Sequence, residues 1–136
     1  MSNYSVDYFL FAENVLPGEN GKQTAVNIFD EIYAPNMPIV QGLLSLAVKL
    51  NFEGKKPKLG STIHIKLQVI DPDGNPIGNS TIQEFTVDDE KKDGITLGVG
   101  ANGMPIEKHG DHMFNILIND KLVASKALKV KKKRGE

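Results

Sequence analysis

The residues of this sequence best suited to chemistry are its histidines and carboxylates, and two of the three histidines stand together in Glu107-Lys108-His109-Gly110-Asp111-His112. Imidazole and carboxylate groups bind divalent transition metals and serve as general acids and bases near neutral pH. The spacing matches no established metal motif, because on a strand His109 and His112 would face opposite sides. Joint ligation by His109, Asp111 and His112 therefore needs an irregular loop, with Asp71 or Asp73 from a second loop completing the set. A divalent metal is the one cofactor these residues could take, and a metal-binding protein or metal-assisted enzyme would follow from it.

Other candidates are weaker. Asp71, Asp73 and Asn75 imitate the opening of a calcium loop, but the glycine at 74 comes too early and no glutamate supplies bidentate ligation at the twelfth position. A β-turn accounts for the same residues. Asp88, Asp89, Glu90 and Asp93 form a second acidic cluster. Gly98-Val99-Gly100-Ala101-Asn102-Gly103 satisfies the dinucleotide pattern literally, yet Met104-Pro105 follows where a helix N-terminus would have to meet the pyrophosphate. Ser45, Ser61, Ser80 and Ser125 have neither a nucleophile elbow nor a base nearby in sequence.

These residues must be positioned by strands. Ile63, Ile65, Leu67 and Val69 alternate with His64, Lys66 and Gln68, the period of a half-buried strand, which ends at the turn Asp71-Pro72-Asp73-Gly74-Asn75-Pro76. Leu44, Leu46, Val48, Leu50 and Phe52 repeat the pattern, with Ser45, Lys49, Asn51 and Glu53 facing out. Phe114, Ile116 and Ile118 lead through Asn119-Asp120-Lys121 into Leu122-Val123-Ala124, a hairpin with a tight turn. Residues 6–16, 23–33, 77–87 and 95–99 supply four more candidates, giving eight strands. No long 3.6-residue apolar stripe appears; the only helical candidate is one turn at 104–108. Eight short strands separated by turn signals predict an all-β fold, an antiparallel two-layer sandwich. If every connection reverses the chain, the loops at 34–42, 71–76 and 100–111 share one end, and those at 17–21, 54–60, 88–94 and 119–121 the other.

The chain has 136 residues, enough for one domain that buries roughly two thirds of its unfolded surface without disulfides or metals. It contains no cysteine, which removes disulfides, thiolate metal sites and cysteine nucleophiles together. Residues 1–7 lack a basic leader, and the apolar run Tyr8–Ala12 is too short for a signal segment or membrane span, so the expected compartment is the cytoplasm. The net charge of −1 conceals an asymmetry: five of the sixteen basic groups lie at 129–134. Residues 1–128 keep eleven basic and sixteen acidic groups, a net of −5. Residues 1–128 are thus expected to form the domain and 129–136 a basic tail that solubilises the terminus. An acidic body offers no phosphate-binding surface, so neither nucleic acid nor membrane is an expected partner.

Three stretches carry a resemblance: Asn27-Ile28-Phe29-Asp30-Glu31-Ile32-Tyr33-Ala34-Pro35 with Pro38 beyond it, Val69-Ile70-Asp71-Pro72-Asp73-Gly74, and a final hairpin preceded by Gly110. In these the chain resembles a family of small bacterial proteins known only as a domain of unknown function. The resemblance implies an immunoglobulin-like β-sandwich and assigns no functional residue. The proline-restricted connection at 34–40 bears Met37, Ile39 and Val40, which form a partner site if they face solvent and part of the core if they cap the sandwich. The favoured function is a non-catalytic structural or interaction module that binds another protein or itself.

Overall fold

Apolar residues at alternate positions build eleven strands among the residues that the computed structural model describes, 2–78, 81–88 and 93–133. They are β1 (Ser2–Pro17), β2 (Gln23–Phe29), β3 (Glu31–Tyr33), β4 (Ile39–Gln41), β5 (Ser45–Gly54), β6 (Thr62–Ile70), β7 (Thr81–Thr86), β8 (Gly94–Gly100), β9 (Met104–Ile106), β10 (Gly110–Ile118) and β11 (Lys121–Lys131). One sheet has the order β2-β1-β5-β8 and the other β3-β11-β10-β6-β7, while β4 and β9 pair separately. This is an all-β, two-layer sandwich of immunoglobulin-like type, and every strand pairing is antiparallel except that of β11 with β3. The eight longer strands answer to the eight expected ones; β3, β4 and β9 are three-residue additions.

The core forms where the inward rows meet. Phe9 and Phe11 of β1, Leu46, Val48 and Leu50 of β5, and Ile95, Leu97 and Val99 of β8 face Ile63, Ile65 and Leu67 of β6 and Phe114, Ile116 and Ile118 of β10. Phe11 and Phe114 meet edge to face across the layers, ring centres 4.9 Å apart. At the β10–β11 turn both Asn119 (φ 49°) and Asp120 (φ 66°) take left-handed conformations, the geometry of a two-residue hairpin turn, as the sequence anticipates there.

The β1–β2 hairpin is less ordinary. Gln23 Nε2 donates to the Leu97 carbonyl (2.8 Å) and the Tyr8 hydroxyl donates to Gln23 Oε1 (2.6 Å), so the hairpin folds back over the outside of its own sheet. Small residues make room for it: a Cβ on Gly98 would lie 3.5 Å from Val15, and Ala12, Ser45 and Ala47 are buried. Ser45, expected to face solvent, is therefore covered. The 17–21 turn rests beside Thr96 in mid-sheet rather than at the end assigned to it.

Three further expectations are corrected. Residues 104–106 form β9, because they pair with 39–41 instead of closing a helical turn. The segment at 23–33 is two strands, interrupted at Asp30, that belong to different sheets. The boundary at 128 falls inside β11: Lys129, Val130 and Lys131 align with Glu31, Ile32 and Tyr33, and Lys131 Nζ lies 2.8 Å from Glu31 Oε1. Val130 is buried, so the basic segment begins within the domain. Arg134 lies outside the described residues, as do Asn79, Ser80 and residues 89–92.

Candidate functional site

The end of the sandwich that gathers 34–42, 71–76 and 100–111 is assembled as the alternation of loops predicts. β4 and β9 pair there, Lys108 Nζ reaches Asp71 (3.1 Å) and Asp73 (2.6 Å), and His109 Nε2 lies 2.7 Å from the Ala34 carbonyl. The Asp-Pro-Asp-Gly turn is locked from within. Asp71 Oδ1 accepts the backbone N–H groups of Asp73 and Asn75, both at 2.9 Å. The Asn75 N–H first, and then the Lys108 ammonium, hold the Asp71 carboxyl below its ordinary range. The same pairing, led by Asp73, raises Lys108. Gly110 lets this turn dock on the start of β10. Its φ of +123° suits glycine alone, and a Cβ there would approach Pro72 to 3.0 Å.

The expected metal set is not brought together. His109 is committed to Ala34, and Asp71 and Asp73 converge on an ammonium rather than on an open point. Asp111 is exposed, while the adjacent His112 faces the opposite side of β10 and is buried. Among the described residues no group of three or more histidine, aspartate or glutamate side chains is placed to hold a metal ion. Of the acidic cluster at 88–93, Asp89 and Glu90 lie outside the described residues and Asp93 pairs with Lys56 at 2.8 Å. The glycine pattern at 98–103 runs from β8 through a turn into β9, with no helix behind it.

His112 is the unusual residue. It continues the inward row of Phe114, Ile116 and Ile118 and is fully buried. Its Nδ1 lies 3.3 Å from the Gly110 carbonyl, which can only accept, so Nδ1 carries the proton. Nε2 is then a bare acceptor, buried and, among the described residues, without a hydrogen-bond partner. Leaving such an atom unpaired costs about 1–3 kcal/mol. Burial pushes the imidazole below its ordinary pKa, outweighing the Gly110 carbonyl and the nearby Asp71 and Asp111, so the ring is neutral at pH 7. His112 borders a cavity of about 370 Å³ whose other walls include Asp71, Ile77, Pro105, Glu107 and Lys108. The sequence carries no signal that marks Lys108, Ile77 or Pro105 as walls of this cavity. The burial of His112 was there to be found, two residues before Phe114 in the same alternation.

Met37 and Ile39 pack against the core, and of the three residues on that connection only Val40 is exposed, at 68%. A broader apolar surface lies along β2, where Ile28 is 59% and Val26 39% exposed. Ile28 and Leu43, itself 55% exposed, share a shallow groove of about 510 Å³ with Phe29, Ile32, Glu13 and Glu31.

A model of a protein family of unknown function, DUF6941, matches residues 7–131. The chain belongs to that family. DUF6941 membership covers both sheets and both candidate surfaces, from β1 to the last residue of β11. No curated protein matches the sequence. Among solved structures the chain is similar to an immunoglobulin-like protein of Pseudomonas aeruginosa, with 12% sequence identity, a TM-score of 0.46, and 96% of this chain and 97% of that one covered. Among the described residues no helix is long and apolar enough to cross a membrane.

Proposed function

We propose that this chain is a non-catalytic protein-interaction module that associates with a second copy of itself along the open edge of β2. One observation carries this reading. Among the described residues β2 has a single neighbour, β1, and its seven residues include neither a charge nor a proline, while Val26 and Ile28 stand exposed on it. Natural sheets protect an edge of this kind with lysine, proline or a cover, and one left bare is a template for another strand. The other edges differ. β7 carries Glu84 and β3 carries Glu31, while the uncharged β8 turns Ile95, Leu97 and Val99 inward. The occupant follows from charge: antiparallel pairing about a twofold axis sets residues of one strand against the same strand of its mate, which a charged strand would resist and β2 does not. Leu43, in the adjoining groove, extends the apolar contact beyond the ladder. The absence of cysteine suits a module that works in the reducing cytoplasm.

Sedimentation equilibrium over a range of concentrations is the test. The native chain should dimerise, and Ile28→Lys, which sets two ammonium groups into the shared ladder, should remain monomeric while keeping its fold. A native chain that stays strictly monomeric at the highest concentration, or an Ile28→Lys chain that dimerises equally well, would refute the assignment.

A further inference from the structure

A second cavity lies at the end of the sandwich away from the Asp71 turn, and no residue of β2 lines it. Tyr4 of β1 faces it from one sheet, and β6, β10 and β11 close it from the other. Its inner part is apolar. The buried Ile63 and Ile118 form the floor, and the half-buried Pro57 and Val123 stand beside the Tyr4 ring, which meets Phe52 edge to face at 5.7 Å.

The polar groups at its rim are donors. The Tyr4 hydroxyl makes no hydrogen bond among the described residues, yet it is not shut away from solvent, since His112 Nε2 is the one atom there both buried and unpartnered. Burial raises the Tyr4 pKa, so the hydroxyl keeps its proton. Asn119 Oδ1 accepts the His64 backbone N–H at 3.0 Å, which leaves the two Nδ2 hydrogens of that amide to donate elsewhere. Lys121, exposed at the start of β11, has no ion-pair partner among the described residues. It is also the one charged residue of the lining, whose formal charge is therefore +1. A cation would meet like charge and no carboxylate, and a multiply charged anion would find a single ammonium. One carboxylate on an apolar stem matches both the rim and the floor.

We propose that this cavity is a binding site for a small monocarboxylate, whose oxygens are held by the Lys121 ammonium, the Asn119 amide and the Tyr4 hydroxyl while its stem lies on the apolar floor. The volume, about 310 Å³, falls at the lower end of the range for small-molecule sites and suits a short aliphatic acid. Self-association along β2 leaves this end of the sandwich free, so the two assignments stand or fall separately.

Titration of the native chain with n-hexanoate, followed by NMR of the Val123 methyl groups and the Tyr4 ring, tests this directly. The expected result is a saturable shift of both that 1-hexanol and n-hexylammonium do not reproduce. Lys121→Gln, a change at an exposed position, should weaken the affinity about fivefold, the effect of losing roughly 1 kcal/mol from an exposed ion pair. Tyr4→Phe keeps the ring and its contact with Phe52 and should weaken binding through the lost hydroxyl alone. No saturable shift, an equal response to 1-hexanol or n-hexylammonium, or unchanged affinity in Lys121→Gln would overturn the assignment.

Discussion

Replacing His112 with leucine should remove a defined part of the pH dependence of stability. In the folded chain His112 is fully buried and its pKa is lowered from 6.5 by that burial; in the unfolded chain it titrates normally. The unfolded state therefore takes up the proton first as pH falls. The stability associated with a neutral His112 is complete above about pH 6.5 and is lost as the pH drops through the window from there to the depressed folded value. Within that window one proton of difference gives a slope approaching 1.4 kcal/mol per pH unit, about 2.303RT. Other groups do not confuse the measurement. Asp71, Asp93 and Glu31, whose pKa values are all lowered, and His64 and His109 are present in both chains, so the comparison cancels them. Urea unfolding of the native and His112→Leu chains at pH 7.5, 6.5 and 5.5 supplies the comparison. The native chain should lose stability on acidification and the variant should lose less by the amount of that slope. At pH 7.5 the variant should be no less stable, because an unpaired acceptor costing about 1–3 kcal/mol is exchanged for apolar contact. Parallel pH profiles for the two chains would refute both the burial and the neutrality of the ring.

Other expectations are simpler to state. Phe114→Ala should cost about 3–5 kcal/mol in chemical denaturation, since it empties the contact with Phe11 at the middle of the core. Gly94→Ala should disrupt the pairing of β5 with β8, because a Cβ there would lie 2.1 Å from the Leu50 carbonyl oxygen, whereas Gly98→Ala, with ordinary contacts of 3.5 Å, should be tolerated; amide hydrogen exchange along β8 distinguishes them. A chain ended after Leu128 should be clearly destabilised relative to one ended after Lys131, through loss of the β3–β11 ladder and of buried Val130, the latter alone worth about 1.5–3 kcal/mol; thermal unfolding of the two measures it. Zinc, manganese and calcium should leave the melting temperature unchanged, since a ligand that binds only the native state must raise it.

The strands that the sequence revealed are those with one wet face. In Ile63–Val69 and Phe114–Ile118 alternation maps directly onto burial, because the outward residues at those positions keep part of their surface in solvent while the inward ones are buried. Where the chain covers itself the pattern fails. Ser45 and Ala47 point away from the core and are buried by the hairpin, so the two faces of β5 cannot be told apart by polarity. The switch at Asp30 was hidden for a different reason: residues 23–33 are uniformly compatible with a strand, and while the first part pairs with the strand just before it, the second joins the other sheet through partners about a hundred residues away. For the site, reversal of the chain at each turn sufficed to gather the right loops. It could not show that Lys108 would neutralise the Asp71 turn, or that β9 would supply a wall where a helical turn was expected. Nor could it show that the proline-restricted connection turns Met37 and Ile39 inward.

The parallel pairing of β3 with β11 also has a consequence for synthesis. Glu31, Ile32 and Tyr33 are among the first quarter of the chain to be translated, yet their ladder partners are Lys129, Val130 and Lys131. Until those three residues clear the ribosome exit tunnel, β3 has no partner, and β10 lacks the strand that separates it from β3. Both are exposed, unpaired edges of the kind that recruit the wrong neighbour during folding. A nascent chain of this protein should therefore remain sensitive to protease until residues 129–131 have left the tunnel and become resistant in a single late step.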